Sequence, residues 1–279
     1  MKKIAVITMA RNDEFFLNRW IAYYGEQFGE ENLFVYLDGD DQPAPARSGR
    51  ANIIHVPRVA EHVVKAEKRR LGFLSNRAAE LLNRYDLIIG ADADEFLAID
   101  PKCKKNLAEY LSEKKITTSL SAFGIDVGQN TNCETQLIDN QSFLQQRSYA
   151  YLSPRYTKPC IIAVPLRWGS GFHRVKGHNF RIDKNLYLFH FGCVDYQMIM
   201  QRFEDKDRMA TGREKHIRKR LRTINFISKE KTIRTGEKWL CFARVFQTFA
   251  RPIYALNKPS MARWRLVVRL PERFKEINI

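Results

Sequence analysis

Cysteine is scarce in this sequence, and no apolar run approaches the length of a membrane span. The five cysteines are widely spaced, and no two of them form a C-x-x-C pair. This pattern argues against a disulfide framework or a zinc site and fits reduced thiols inside a cell. A bilayer-spanning helix needs about 18 or more consecutive apolar residues, so none is expected. The cysteines are Cys103, Cys133, Cys160, Cys193 and Cys241.

A secretion signal and low-complexity tracts are also missing. In the N-terminal segment "MKKIAVITMARNDEFF", a seven-residue apolar stretch is followed at once by Arg11, Asp13 and Glu14. Signal peptides need a longer apolar region and a small-residue cleavage site, so the segment predicts a first strand and a cytoplasmic protein. Hydrophobic residues make up 44% of the 279 residues and aromatic residues 12%, which is enough to bury a full core.

Positive charge is concentrated in the last third of the chain. The formal net charge is +16, and residues 196–279 alone carry 21 Lys and Arg against 8 Asp and Glu. A basic segment on a nearly neutral body predicts an anionic partner for that segment, either membrane lipid or nucleic acid. We therefore expect a body of residues 1–195 and a basic helical C-terminal region of residues 196–279.

Strand-like and helix-like segments alternate over the first hundred residues. The predicted strands are 3–10, 32–38, 52–57 and 86–92, and the predicted helices are 13–28 and 65–85. Strands that alternate with helices form right-handed crossovers and a mainly parallel sheet flanked by helices. Ligands of such α/β folds bind at the carboxyl ends of the strands.

The middle and the end of the chain are less regular. The short β-rich stretches "TTSLSAFGI", "KPCIIAVPL" and "LYLFHFG" predict strands that complete the sheet, and residues 196–235 predict charged helix. The next segment places large apolar residues at helical spacing with basic residues between them, which suits a helix lying on a membrane surface. This aromatic stripe comprises Trp239, Phe242, Val245, Phe246, Phe249 and Ile253.

Carboxylates gather directly after the predicted strand 86–92. Asp92 and Asp94 are separated by one residue, and Glu95 comes next. Two aspartates at a strand end supply oxygen ligands of the kind that Mg²⁺ and Mn²⁺ prefer. A bare D-x-D is usually a solvated turn, but its place after a buried strand favours a metal site. With a nucleoside diphosphate sugar as substrate, the metal would hold the diphosphate and stabilise its charge as the sugar leaves.

Several segments together resemble a known enzyme family. The pairing of "ITMARNDEFFLNRWIAYY" with "DLIIGADADEFL" is similar to the GT-A glycosyltransferases of the family 2 type, in particular the branch related to family 92, whose D-x-D is followed by Glu-Phe. The segments "SPRYTKP", "GFHR" and "LYLFHF" also resemble that branch. The resemblance covers roughly residues 1–195 and leaves out the basic region. It implies the GT-A fold, a Rossmann-like sheet flanked by helices.

The resemblance also implies residue roles. The nucleotide pocket would be lined by Thr8, Arg11, Asn12 and Asp38. Asp92 would contact the ribose or the metal through water, and Asp94 would be the main ligand of Mn²⁺ or Mg²⁺. His190 or His173 would complete the metal shell. The segment "LDGDDQPAP" departs from the family pattern because it has no Ser after the second-strand acid, which weakens the role of Asp38 in binding the base.

The family 2 type inverts the anomeric centre by direct displacement, so one carboxylate must take the proton of the acceptor hydroxyl. The candidates are Asp126 in "FGIDVG" and Asp195 in "FGCVD", and we prefer Asp126. Asp195 could instead cap the helix that begins near Tyr196. Glu95 is a third candidate catalytic acid, which could orient a metal ligand or pair with an arginine.

Each assignment has a structural alternative. Residues 38–41 could form only a turn, and His173 and His190 could be core residues with satisfied hydrogen bonds. The predicted helix 65–85 carries four basic residues that could form a solvated face, although one of them could reach a phosphate. They are Lys65, Lys68, Arg69 and Arg70.

The predicted function is metal-dependent, inverting transfer of a sugar from a nucleotide-diphosphate donor, with a UDP-sugar favoured. The acceptor would be a glycan or a lipid-linked precursor, as in the synthesis of bacterial surface polysaccharide. The basic region would hold the enzyme on the inner face of an anionic membrane, or its aromatic residues would belong to the core or a dimer interface.

Two rival functions remain open at this point. A metal-dependent nucleic-acid-binding protein or nuclease would also explain the basic region, but the sequence contains no nucleic-acid-binding motif. In the other rival, a non-catalytic scaffold, the carboxylates after strand 86–92 would hold no metal.

Overall fold

The computed structural model describes residues 1–178, 181–206, 209, 212, 214–250 and 266–279. Its strands are β1 (Ile4–Ala10), β2 (Leu33–Asp38), β3 (Asn52–Val56), β4 (Leu87–Gly90), β5 (Glu95–Ile99), β6 (Ser119–Gly128), β7 (Tyr149–Tyr151), β8 (Lys158–Ile162), β9 (Ile182–Cys193), β10 (Arg234–Thr235) and β11 (Val267–Arg269). Its α-helices are α1 (Glu14–Phe28), α2 (Val63–Leu81), α3 (Leu107–Glu113), α4 (Phe143–Gln146), α5 (Tyr196–Glu204), α6 (Glu214–Lys229) and α7 (Gly236–Phe249).

The strands form a mixed sheet with a parallel half. β1 lies between β2 and β4 and runs parallel to both, and β3 runs parallel to β2 at the edge. β8 then pairs antiparallel with both β4 and β6, and β9 pairs parallel with β6 and antiparallel with β5. The order across the sheet is β3-β2-β1-β4-β8-β6-β7-β11-β10. The predicted α/β fold, a sheet with a parallel core flanked by helices, is confirmed.

The alternation of side chains along β1 explains why helices cover both faces of the sheet. Ile4 and Val6 pack into the same core cluster as Trp20 of α1, whereas Ala5 and Ile7 belong to the cluster on the other face. Successive strand residues point to opposite faces, so one apolar strand supplies both layers. The residues of α2 in that second cluster are Leu71, Leu74, Ala78 and Leu81.

The last third of the chain joins the same sheet and core. β11 runs antiparallel to β7, with Val268 opposite Ala150, and β10 pairs with β11. The ring of Phe274 is buried, with its centroid 5.0 Å from that of Tyr187 and 5.3 Å from that of Phe189. Among the described helices, none combines the length and the apolar character needed to cross a bilayer.

Helix α7 divides the predicted aromatic stripe between two environments. Its buried face consists of Gly236, Leu240, Ala243 and Gln247. Its exposed face carries Phe242, Val245 and Phe249, which are 49%, 48% and 80% exposed. Trp239 packs partly against the core, and Ile253 lies outside the described residues. Helix α7 therefore exposes three large apolar side chains on the face opposite its buried one, which is unusual for a surface helix.

Close backbone contact joins β6 to the segment before β8. The N–H of Gly124 donates to Oγ1 of Thr157 over 3.0 Å. A Cβ at position 124 would overlap the backbone of Tyr156 and Thr157, so only glycine permits this approach. The contact fixes the start of β8, where Lys158 lies.

We predict that Gly124→Ala lowers the free energy of unfolding by about 2–3 kcal/mol, because backbone atoms cannot move aside as a flexible side chain can. Urea unfolding followed by circular dichroism measures the effect. Gly72→Ala is the matched control: a Cβ at position 72 of α2 meets open space, and alanine should raise stability by about 0.5–1 kcal/mol. Similar free energies of unfolding for the two variants would contradict the close approach.

Candidate active site

A cavity of about 470 Å³ lies at the carboxyl ends of β1, β2 and β4. This is where ligands bind in parallel α/β sheets. The structure brings most of the sequence-predicted site residues to its wall. They are Arg11, Asp38, Asp92, Asp94, Glu95, Asp126, His173 and His190.

Asp94 and His190 face each other inside this cavity. Both side chains are buried, and Nε2 of His190 lies 3.5 Å from Oδ2 of Asp94. The pairing of β5 with β9 places Glu95 opposite His190, and this register brings the D-x-D loop to the histidine. Burial alone would lower the pKa of His190, but the carboxylates of Asp94 and Asp126 raise it to about 9. The pair is therefore strongly coupled electrostatically.

Asp126 holds the other side of the same imidazole ring. Its Oδ1 lies 2.7 Å from Nδ1 of His190, and the ring of Tyr156 stacks on the imidazole with a centroid separation of 3.9 Å. A carboxylate bound to one ring nitrogen fixes the orientation of the ring, and a metal at the other nitrogen would replace the proton that the raised pKa keeps there. Oδ1 of Asp126, the predicted base, is therefore engaged, and the structure gives Asp126 an orienting position.

Asp126 and His190 also lie near Cys193, and one ligand atom from each of the three falls within 4.8 Å of the others. Burial, followed by the nearby Asp126, raises the pKa of the Cys193 thiol well above its usual value, so this sulfur stays protonated. Because Asp126 and His190 are already hydrogen-bonded to each other, Nε2 of His190 with Asp94 is the better pair of metal ligands.

A buried lysine neutralises the other two carboxylates of the D-x-D-E segment. Nζ of Lys158 lies 2.5 Å from Oε1 of Glu95 and 3.1 Å from Oδ2 of Asp92. Arg70 of α2 approaches the second oxygen of Asp92 to 2.9 Å. Burial would raise the pKa of Asp92, but Lys158 and Arg70 hold it well below its usual range. Burial raises the pKa of Glu95 to about 7 against the influence of Lys158.

The basic C-terminal region supplies a further cation. Nη2 of Arg220, in α6, donates to Oδ2 of Asp94 over 2.7 Å. A Cβ at position 192 would lie 2.6 Å from Cε1 of His190 and 2.8 Å from Cζ of Arg220. Gly192 is therefore what lets the arginine reach Asp94 alongside the imidazole.

The predicted nucleotide end of the cavity is organised by Arg11. Its guanidinium donates to both carboxylate oxygens of Asp41 over 2.7 Å and to the carbonyl oxygen of Asp38 over 2.8 Å. Residues 38–41 thus form an ordered turn, as the structural alternative held, while Asp38 also lines the cavity. Next to Arg11, the backbone N–H of Asn12 donates to Oε1 of Gln42 over 3.1 Å.

Three predicted residues, Thr8, Asn12 and Asp195, do not line the cavity that the described residues form. Thr8 is fully buried within β1, so its side chain is not accessible to a ligand. Asp195 caps α5 by accepting from the N–H of Met198 over 2.9 Å and also accepts from the N–H of Leu137 over 3.0 Å. It pairs in addition with Arg147, 3.5 Å away. Asp195 therefore has the capping position of the structural alternative, and its predicted role as a base is not supported.

His173 also lies at the cavity wall. Burial lowers its pKa to about 3, and Lys158 and Arg155 act in the same direction, so its imidazole is neutral at physiological pH. Sequence reasoning assigned no role to Lys158, Tyr156 or Arg220. The first two lie in the quoted segment "SPRYTKP", whereas nothing in the charge-dense segment around Arg220 distinguishes it from its neighbours.

No known protein family matches this chain, and no curated protein is significantly similar to it in sequence. Three solved structures resemble it. A mycobacterial protein is 17% identical, with 45% of this chain and 41% of that chain covered and a TM-score of 0.31, and mannose-1-phosphate geranyltransferase from Thermus thermophilus is 11% identical, with 99% and 77% covered and a TM-score of 0.33. CMP:2-keto-3-deoxy-manno-octonic acid synthetase with CTP is 13% identical, with 79% and 87% covered and a TM-score of 0.29. The chain thus spans less than half of the first of these. TM-scores this low carry no information about the activity of this chain.

We predict that Lys158→Met lowers the free energy of unfolding by about 3–5 kcal/mol, because the fully buried Glu95 and the partly buried Asp92 then lose the lysine between them. Adding Glu95→Gln should restore part of the loss, since the double variant buries one charge fewer. Chemical unfolding of the three proteins gives the values. Lys105→Met, which removes an exposed partner of Glu113, is the control and should change stability by less than about 1 kcal/mol. A Lys158→Met variant as stable as this control would refute the buried network.

Proposed function

We propose that this protein is a metal-dependent glycosyltransferase that moves a sugar from a nucleotide-diphosphate donor, with a UDP-sugar favoured, to a glycan or lipid-linked acceptor. One observation carries the proposal: Oδ2 of Asp94 and Nε2 of His190 lie 3.5 Å apart in the cavity at the strand ends. The resemblance of the D-x-D-E segment to family 2 glycosyltransferases supports the same function.

The donor set suits a hard divalent cation. Ligands of one six-coordinate Mg²⁺ lie about 3 Å apart when they are adjacent, close to the separation of the Asp94 and His190 atoms. The carboxylate oxygen suits both Mn²⁺ and Mg²⁺, and the imidazole nitrogen favours Mn²⁺, the transition-metal ion of the two. A bound cation would supply charge neutralisation for the diphosphate that leaves the sugar. Asp126 would keep the imidazole oriented for this role.

The side chains around this pair suit a diphosphate donor. Arg70 and Lys158 bring positive charge to the cavity wall next to Asp92, and guanidinium and ammonium groups are the common phosphate ligands of proteins. Arg11 and Asp38 lie at the end of the cavity formed by β1 and β2, where they would bind the nucleoside. The donor would then span the cavity from the turn after β2 to the D-x-D loop.

The proposed reaction is a direct displacement with inversion at the anomeric carbon. The acceptor hydroxyl oxygen forms a bond to that carbon while the bond to the diphosphate oxygen breaks, and the electron pair leaves with the diphosphate. The hydroxyl proton passes to a carboxylate of the cavity wall. For this role we propose Asp126 through Oδ2, because Oδ1 is the oxygen bonded to His190.

We predict that Asp94→Asn reduces Mn²⁺-dependent consumption of a UDP-sugar at least about a hundredfold, because an amide is a poor ligand for a hard cation. A screen of nucleotide sugars, with release of the nucleoside diphosphate as the readout, identifies the donor first. Thermal melting of the variant checks that the fold is retained.

Asp86→Asn is the matched control for this test. Asp86 accepts from the backbone N–H of Lys3 over 2.7 Å at the end of the sheet remote from the cavity, so its variant should retain full turnover. Retained turnover by Asp94→Asn at the wild-type Mn²⁺ requirement would refute the metal site. Nuclease activity in the same preparation, lost with Asp94→Asn, would support the rival function instead.

We propose further that the exposed face of α7 binds an anionic membrane surface, where lipid-linked acceptors lie. Phe242, Val245 and Phe249 share that face with the exposed Lys238, and basic residues are dense in this part of the chain. An apolar stripe flanked by cationic side chains is the combination that binds anionic lipid interfaces reversibly.

For this surface we expect that Val245→Ser combined with Phe249→Ser weakens binding to vesicles of anionic phospholipid by roughly tenfold or more, because two apolar side chains no longer enter the interface. Vesicle flotation at low and high salt provides the measurement. The control replaces the exposed apolar residues Val59 and Ile138 with serine and should bind like the wild type. The membrane face would be ruled out if the control double variant lost as much vesicle binding as Val245→Ser/Phe249→Ser. It would also be ruled out if the wild type did not bind the vesicles.

A further inference from the structure

Arg220 and a metal ion would compete for the same oxygen atom. Nη2 of Arg220 donates to Oδ2 of Asp94, and Oδ2 is also the atom that faces Nε2 of His190. A cation bound between Asp94 and His190 therefore has to displace the arginine from this oxygen. The guanidinium, with 23% of its side chain exposed, reaches the cavity from a helix and not from the sheet.

The guanidinium has an unsatisfied donor in its present position. Nη1 of Arg220 is buried and has no hydrogen-bond partner among the described residues. A buried cationic N–H without an acceptor costs free energy, so an anion in the cavity would be stabilised by this group. Arg220 lines the cavity together with Lys219 and Thr223 of the same helix.

The two aspartates of the D-x-D motif are neutralised in different ways. Asp92 contacts two cations, Lys158 and Arg70, and Lys158 is fully buried. Asp94 has Arg220 and His190, of which Arg220 lies on α6 at the more exposed edge of the cavity. Among the described cations that contact the two aspartates, Arg220 has the most exposed side chain, at 23% against 18% for Arg70, 3% for His190 and 2% for Lys158.

We propose that Arg220 is an exchangeable counter-ion: it neutralises Asp94 in the empty enzyme and moves to the donor diphosphate when the metal binds. This proposal rests on the function proposed above. The metal binds Oδ2 of Asp94 in place of Arg220. The released guanidinium then binds the diphosphate with both of its terminal nitrogens. Arg220 is thus a donor-binding residue supplied by the basic C-terminal region.

The exchange makes metal and nucleotide bind cooperatively. Metal binding frees Arg220 for the diphosphate, and diphosphate binding draws Arg220 away from the ligand of the metal. Each ligand therefore raises the affinity of the other by the same factor. Direct contact of the metal with the diphosphate adds to this coupling but does not involve Arg220, so removal of Arg220 separates the two contributions.

Arg220→Gln should have opposite effects on the two ligands. Without the competing cation, Mn²⁺ alone should bind about tenfold more tightly, and UDP in the presence of EDTA should bind about tenfold more weakly, as expected for loss of one hydrogen bond to a charged group. The factor by which saturating UDP raises the affinity for Mn²⁺ should fall correspondingly. Isothermal titration calorimetry of the full chain measures all three values.

Two further variants complete the test. Arg220→Lys keeps the charge but presents a single ammonium group, so its Mn²⁺ and UDP affinities should lie between those of the wild type and Arg220→Gln, and it serves if the glutamine variant does not fold. Arg218→Gln is the control, because Arg218 is largely exposed on α6 and pairs with Glu214, and it should leave both affinities unchanged.

Unchanged or weaker Mn²⁺ binding by Arg220→Gln would overturn the exchange, as would equal binding of UDP by the wild type and this variant. Failure of the proposed function has a different signature: the wild type would bind none of UDP, CDP, ADP and GDP, with or without Mn²⁺. If Arg220→Gln and Arg220→Lys both lose affinity for Mn²⁺ and for UDP, the arginine only supports the structure of the D-x-D loop, and the exchange is also overturned.

Discussion

The ammonium group of Lys158 allows the carboxylates of Asp92 and Glu95 to lie at the end of a buried strand. Glu95 is held in the core at this strand end by one buried lysine, which also contacts the partly exposed Asp92, and an unpaired carboxylate at the position of Glu95 would shift to the neutral form or leave the core. Lys158 in turn depends on the segment before β8, which the Gly124 backbone holds through Thr157. The Tyr156 ring of the same segment covers His190. The acids near Lys158 and the imidazole of His190 thus both depend on the short segment 156–158.

The parts of the molecule set by local pattern could be predicted from the sequence. The alternating periods predicted β1 to β4, α1 and α2 close to their observed bounds, and the strand end placed Asp92 and Asp94 at the cavity. The cations that neutralise these acids could not be found in this way, because Lys158 is 66 residues from Asp92 and Arg220 is 126 residues from Asp94. Such pairs depend on the register between distant elements, which no local periodicity records. β7, β10 and β11 have only two or three residues each, too few to show a period.

Two acids with similar neighbours illustrate the same limit. Asp126 and Asp195 both follow glycine and apolar residues, but Asp126 lies opposite His190 in the pairing of β6 with β9, whereas Asp195 lies beyond the end of β9 and caps α5. What separates them is the partner that each one faces, and that partner is fixed by the sheet. The basic C-terminal region shows this too: its excess charge was visible in the sequence, but only the position of α6 shows that one of its arginines reaches the D-x-D motif.

The distance along the chain between Asp94 and Arg220 also sets an order of assembly during synthesis. A ribosome releases the N-terminal strands first, so β1 to β4 can pair while Lys158 and Arg220 are still untranslated, although Arg70, which also contacts Asp92, has already been made. Asp94 and Glu95 have to remain hydrated during this interval, since the cations that contact them, His190, Arg220 and Lys158, have not yet been made. Lys158 emerges next and Arg220 last, so the cavity closes only when most of the chain has been made. A nascent chain that stops before α6 would therefore contain β1 to β9 and Lys158 but would leave Asp94 without its arginine.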